Sequence, residues 1–202
     1  MNALLRSISF IFHPLLMPIL GVVLFFYTSP RYIPLSIIKG KLSAIFLLTI
    51  LFPILIFYFL KASKYVKTIY LQSTKERIVP LIINCGVLVY IALKIFPINE
   101  YKEVHFFFIA ILFSTLSCLI LAILKFKTSI HMIASGGILM FLIAISIHYS
   151  INLNVLIAIS FVLVGAIASS RLHLNAHNYS ELVIGFFIGG LVMSNLLFPI
   201  IF

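Results

Sequence analysis

Seven apolar runs, each long enough or nearly long enough to cross a bilayer, dominate this chain: Ile8–Tyr27, Leu42–Leu60, Pro80–Pro97, His105–Leu124, Met132–His148, Val155–Ser169 and Leu182–Ile201. A bilayer core takes about 20 apolar residues in a helix, and a helix satisfies its own backbone groups where no water can. With 63% hydrophobic and 9% charged residues among 202, too little polar surface remains to cover a water-soluble globule, and no polar stretch could form a separate soluble domain. The sequence therefore predicts an all-α, multi-pass transmembrane helix bundle of about seven helices, with six as the alternative count, forming one domain over residues 1–202.

Details within the runs refine this reading. His13-Pro14 and Pro18 predict that the first run is kinked or partly re-entrant. Arg6 before an apolar stretch imitates a secretory signal, but no small-x-small cleavage site follows, so the run is read as a retained helix. The sixth run is short at its start, beside Asn152 and Asn154, and is read as tilted or as extending to either side. Gly185-x-x-x-Gly189 and Ser135-Gly136-Gly137 are read as small-residue packing faces. Cys85 and Cys118 fall in different runs with no framework spacing and are read as buried thiols.

Seven spans put the two termini on opposite sides. On the amino-terminal side lie the loops Lys61–Val79, Lys125–His131 and Ser170–Glu181; on the other lie Thr28–Lys41, Ile98–Val104 and Tyr149–Asn154. Lys and Arg number nine on the first side and five on the second, which would make the first cytoplasmic. If Lys75, Arg77, Lys127 and Arg171 are kept for a site, the count becomes five against five and no longer orients the chain.

Charge also bears on partners. Fourteen Lys and Arg face only Glu76, Glu100, Glu103 and Glu181, a net +10. Basic residues scattered through short loops between apolar spans fit lipid headgroups and an anionic ligand, not nucleic acid.

Three segments on the amino-terminal side carry the chemistry. In Ser170-Arg171-Leu172-His173-Leu174-Asn175-Ala176-His177-Asn178-Tyr179-Ser180-Glu181, a helix beginning near Asn175 would set His177 and Glu181 four residues apart on one face. The carboxylate could then hold one ring nitrogen and leave the other as a nucleophile. In Lys125-Phe126-Lys127-Thr128-Ser129-Ile130-His131, Thr128 or Ser129 is a plausible N-cap that places His131 in a first helical turn. In Thr74-Lys75-Glu76-Arg77-Ile78-Val79-Pro80, Pro80 fits the first position of a helix, with Arg77 just before the span. Taken singly, each segment also reads as an interfacial flank. Together, three helix amino-termini with their unpaired N–H groups would open on one face beside two arginines, which suits a phosphate group.

These residues resemble the type 2 phosphatidic acid phosphatase superfamily, lipid phosphatases related to vanadium haloperoxidases, of the divergent bacterial membrane kind. That family carries Arg-Pro with an upstream Lys, then Pro-Ser-Gly-His, then Ser-Arg-x5-His-x3-Asp. Ser170-Arg171, five residues, His177, three residues and Glu181 match the last motif with Glu for Asp. Ser129-Ile130-His131 matches the middle motif at Ser and His, with Thr128 for Pro and Ile130 for Gly, and Arg77 with Pro80 matches the first loosely. The family's Lys would fall at Tyr70, so its role is vacant or passes to Lys67, Lys75 or Lys127. The Pro80–Leu124 apolar hairpin between the first and second motifs is a departure, although two added spans preserve sidedness.

What the resemblance implies is metal-independent, cofactor-free hydrolysis of a lipid phosphate or pyrophosphate through a phosphohistidine, in a bacterial inner membrane. His177 would be the nucleophile, Glu181 its orienting carboxylate and His131 the proton carrier. Arg77, Arg171, Ser129, Ser170 and Lys75 would hold the phosphate. A catalytically inactive lipid-phosphate-binding relative and a small membrane transporter are the alternative readings. A haem protein using His105 and His148, which both fall on the other side, is a further rival.

Overall fold

The computed structural model describes residues 2–66 and 73–201. Those residues form nine α-helices linked by one 3-10 turn and two π-helical turns, and no strand occurs among them. Grouped by continuity, they make seven spans long and apolar enough to cross a membrane, beginning with Leu5–Thr28 and ending with Tyr179–Pro199. The chain is an all-α, multi-pass membrane bundle.

Proline accounts for the broken spans. The first consists of α1 (Asn2–Ile11), a 3-10 turn (Pro14–Leu16) and α2 (Met17–Thr28). Pro14 bars its predecessor from helical geometry, and His13 is extended at φ −67, ψ 138. In the second span, α3 (Leu35–Phe46) runs through a π turn (Leu47–Leu51) into α4 (Phe52–Ala62), where Pro53 cannot donate into the ladder. The third joins α5 (Thr74–Tyr90) to a π turn (Ile91–Ile95). Carbonyls released at that turn are taken by neighbours: His105 Nδ1 bonds Ala92 O at 3.0 Å and Phe96 O at 2.9 Å, and Lys41 Nζ donates to Ile95 O.

The remaining spans are α6 (Lys102–Ile123), α7 (Ile130–His148), α8 (Asn154–His173) and α9 (Tyr179–Ile201). Among the described helices, α7 and α9 make the most extensive contact. Their glycines permit it. A Cβ on Gly189 would run into the Ile133 carbonyl, one on Gly136 would lie 2.5 Å from Phe186 O, and one on Gly185 would lie 2.8 Å from Ser129 O. The core around this pair is packed with Phe25, Phe96, Phe107, Phe108 and Phe141, all buried.

Two helix starts and one helix end differ from the sequence expectation. Helix α5 begins at Thr74 because Ser73 Oγ accepts from Lys75 N–H, so Pro80 lies inside the helix, and Arg77 belongs to it. Helix α9 begins at Tyr179, not near Asn175, because Asn178 caps it. The sixth span reaches His173, which puts Ser170 and Arg171 in the last turn of α8 instead of a loop.

Candidate functional site

Two loops with the same ending lead into the site. After α6, Lys125 is left-handed (φ 64), with Lys125 N–H on Ala122 O and Phe126 N–H on Leu121 O. After α8, Asn175 is left-handed (φ 50), with Asn175 N–H on Leu172 O and Ala176 N–H on Arg171 O. Both are Schellman caps, which turn the chain sharply at a helix end. The loops are cross-tied, as Lys127 Nζ donates to Ala176 O at 3.1 Å and Ser129 N–H donates to Glu181 O at 3.2 Å.

His177 sits just before the α9 cap and is 9% exposed. Its Nδ1 lies 2.6 Å from Glu181 Oε2. Asn178 Oδ1 accepts from Glu181 N–H at 2.9 Å, while Glu181 Oε2 takes the Asn178 N–H at 3.4 Å. This reciprocal arrangement is a capping box. The pair therefore does not stand on one helical face, as the four-residue spacing predicted; the histidine precedes the helix and the carboxylate reaches back past its end.

Arg77, only 5% exposed, sends Nη1 to Thr128 O at 2.9 Å, which ties the first segment to the second. Ser129 is the N-cap residue of α7 and is fully buried. Its hydroxyl and that of Thr128 have no hydrogen-bond partner among the described residues. Buried hydroxyls are normally bonded, and two left unbonded at a helix start suit an acceptor such as a phosphate oxygen.

The second part of the site gathers on the first span. His131 Nε2 lies 3.2 Å from Ser9 O, and because a carbonyl only accepts, that nitrogen carries the proton. The His13 ring stands edge-on to His131, with centroids 5.5 Å apart. Ser170, fully buried, donates its hydroxyl to Leu5 O at 2.6 Å, so its proton is turned toward α1. Arg171 Nη1 approaches Ser9 Oγ at 3.4 Å.

Electrostatics link the two parts. Burial, followed by the charges of Arg77 and Arg171, holds His177 below the ordinary imidazole range against the opposing pull of Glu181. Burial also lowers Lys127, helped by Arg77 and Arg171 and opposed by Glu181. Both groups thus lie within the field of both guanidiniums.

The structure brings His177, Glu181, Arg77 and Ser129 into one cluster, with His131, Ser170 and Arg171 adjoining through Ser9. Lys75 stands exposed in the first turn of α5, where its backbone carbonyl accepts from Tyr65 Oη at 3.3 Å. Of the lysines weighed for the role of the lysine in the resembled motif, Lys127 is tied to the His177 loop. Lys67 and Tyr70 lie outside the described residues.

Sequence reasoning missed Ser9, which has no local motif, and Asn178, whose Asn-x-x-Glu pattern is a readable capping signature. It also missed a polar cluster at the other end of the bundle. Glu103, 5% exposed, accepts on Oε1 from Arg31 Nη2 at 2.7 Å, His148 Nε2 at 3.2 Å and Tyr149 Oη at 3.1 Å. Burial and this carboxylate push the Tyr149 phenol up to about 12, so it remains a donor. His148 is thus engaged by Glu103 and His105 by the carbonyls of Ala92 and Phe96, which is not the arrangement of two facing axial ligands.

Compared with known proteins, the chain matches no family profile, no curated protein and no solved structure.

Proposed function

We propose that this protein is a membrane phosphatase of the type 2 phosphatidic acid phosphatase kind, hydrolysing a lipid phosphate or pyrophosphate monoester through a phosphohistidine, in a bacterial inner membrane. The observation that carries the reading is the buried His177–Glu181 pair, 2.6 Å apart, set where Arg77, Lys127 and the start of α7 converge.

In the first step His177 Nε2 attacks phosphorus. The bond from phosphorus to the lipid oxygen breaks, and the departing oxygen takes the Nδ1 proton of His131, which enters the step as an imidazolium. Glu181 stabilises the imidazolium formed on His177. In the second step water attacks phosphorus while His131 takes its proton, and the P–N bond breaks with its electron pair returning to His177. Arg77 and Arg171 face the charge on the phosphoryl oxygens as it moves. Because His131 holds Ser9 O with Nε2–H, Nδ1 is its nitrogen for proton transfer. The substrate reaches the site sideways from the bilayer, since the residues lie at span ends.

The test is phosphate release from a panel of lipid phosphates and pyrophosphates, in chelator, by the wild type and His177→Ala. Release by the wild type alone is expected. Equal release by both proteins, or release that requires added metal, overturns the mechanism. Lipid-phosphate binding without release would identify the noncatalytic relative.

A further inference from the structure

We propose that Ser9 is a positioning residue that holds the proton-carrying His131 and the anion-holding Arg171 in register, making the first span a fourth segment of the site. The inference rests on the phosphatase reading, because it assigns Ser9 to those two residues.

Its origin is the break at Pro14. Helix α1 closes its last turn with Phe12 N–H on Ile8 O at 3.0 Å, and His13, forced out of helical geometry, leaves the helix. The carbonyl of Ser9 is therefore among those at the helix end that have no intrahelical donor. His131 Nε2 takes it at 3.2 Å.

The hydroxyl of the same residue works on the other side. Ser170 has one hydroxyl proton and gives it to Leu5 O at 2.6 Å. The 2.7 Å contact between Ser9 Oγ and Ser170 Oγ must therefore be donated by Ser9. That leaves the lone pairs of Ser9 Oγ toward Arg171 Nη1, at 3.4 Å. A directed chain results, from Arg171 through Ser9 and Ser170 to Leu5.

Ser9 is 7% exposed, and it is 122 residues from His131 and 162 from Arg171. One side of it fixes a tautomer, and the other turns a guanidinium. Its carbonyl stands to His131 as Glu181 stands to His177: each imidazole has one nitrogen on an oxygen acceptor and the other left for chemistry.

The experiment measures kcat and KM for lipid-phosphate hydrolysis, and inorganic phosphate binding, in the full-length protein carrying Ser9→Ala, Ser9→Thr, Arg171→Ala, Ser9→Ala with Arg171→Ala, and Pro14→Ala. Ser9→Ala should lower kcat/KM about 10-fold, the scale of one hydrogen bond to a charged group, and weaken phosphate binding, while Ser9→Thr restores both. In the Arg171→Ala background, Ser9→Ala should change neither. Pro14→Ala lets His13 N–H compete for the Ser9 carbonyl, and it should lower kcat with little change in KM. Equal kcat/KM for Ser9→Ala and wild type, or a full additional loss in the Arg171→Ala background, overturns the role of Ser9 and leaves the phosphatase reading standing. A wild type that neither binds phosphate nor releases it overturns the phosphatase reading and this inference with it.

Discussion

Glu181 Oε2 lies 2.6 Å from His177 Nδ1, and the same oxygen meets the N–H of Asn178 at 3.4 Å. One carboxylate thus caps a helix and orients an imidazole. The extra methylene of Glu relative to Asp has a geometric use here. With His177 one residue before the cap and the carboxylate three residues after it, a longer arm is needed to reach back. Glu181→Asp should therefore lower kcat/KM by about 100-fold, the scale of a misplacement near 1 Å, although Asp is the residue in the phosphatase motif that this segment resembles. Glu181→Gln should cost about 10,000-fold, because the amide no longer fixes the productive tautomer. Rates for the two variants across a series of lipid-phosphate concentrations check this, and an Asp variant with the wild-type kcat/KM would contradict it.

The pH dependence has a definite sign. Burial first, then Arg77 and Arg171, hold His177 below the ordinary imidazole range. Between the folded and unfolded pKa values the unfolded chain binds more protons, so this group's contribution to stability is fully present above about 6.5. It is lost as pH falls through the lower folded value. The acid limb of kcat/KM, where neutral His177 is required, should accordingly fall below about 6.5. Arg77→Gln removes one depressing charge and should move that limb to higher pH while reducing the rate. A pH series on the two proteins measures both limbs, and a limb that stays in place in Arg77→Gln would remove the guanidinium from the site.

The spans were legible because about 20 apolar residues are what a bilayer demands of any helix, whatever its neighbours. Where the helices start was not, because local caps decided it: Ser73 extends α5 ahead of Pro80, and Asn178 delays α9 beyond Asn175. The loop ends were hidden as well. The left-handed positions that close α4, α6, α7 and α8 are Lys64, Lys125, Ser150 and Asn175, none of them the glycine that usually announces such a turn. His177 and Glu181 were readable as partners from spacing, but the geometry joining them is a capping box and not a helical face. Ser9 was illegible in principle, since its contacts lie more than a hundred residues away. Arg31, Glu103 and His148 each read alone as ordinary interfacial residues, and only the meeting of the α2–α3 connection with α6 and α7 joins them.

The α7–α9 contact sets the distance between the second and third segments, so its glycines should be the least replaceable in the chain. A Cβ on Gly189 meets the Ile133 carbonyl, and backbone cannot rotate away as a side chain does. Gly189→Ala should destabilise the protein by about 1–3 kcal/mol, the usual cost of overpacking, and reduce phosphate release as the two segments separate. Gly86→Ala and Gly165→Ala, where nothing lies within 4 Å of the added carbon, should be neutral or slightly stabilising. Thermal unfolding of the three variants in one detergent separates these outcomes, and equal melting temperatures would refute the packing argument.

Glu103 provides the converse case, a buried polar cluster remote from the chemistry. Arg31, His148 and Tyr149 all converge on its Oε1, while its Oε2 is buried with no hydrogen-bond partner among the described residues. These bonds join the α2–α3 connection to the start of α6 and the end of α7. His131 and His148 stand near opposite ends of α7, so about 25 Å of helix separates this cluster from His131. Glu103→Ala leaves three donors without their acceptor. The Arg31 side chain is 50% exposed and can return to water, so most of the loss falls on His148 and Tyr149. A destabilisation of about 1–3 kcal/mol is expected, with phosphate release per folded molecule unchanged. Chemical unfolding and turnover, measured on the same preparation, read the two effects separately. A large loss of turnover at unchanged stability would mean that the two ends of the bundle are coupled, and the site could no longer be assigned to the amino-terminal side alone.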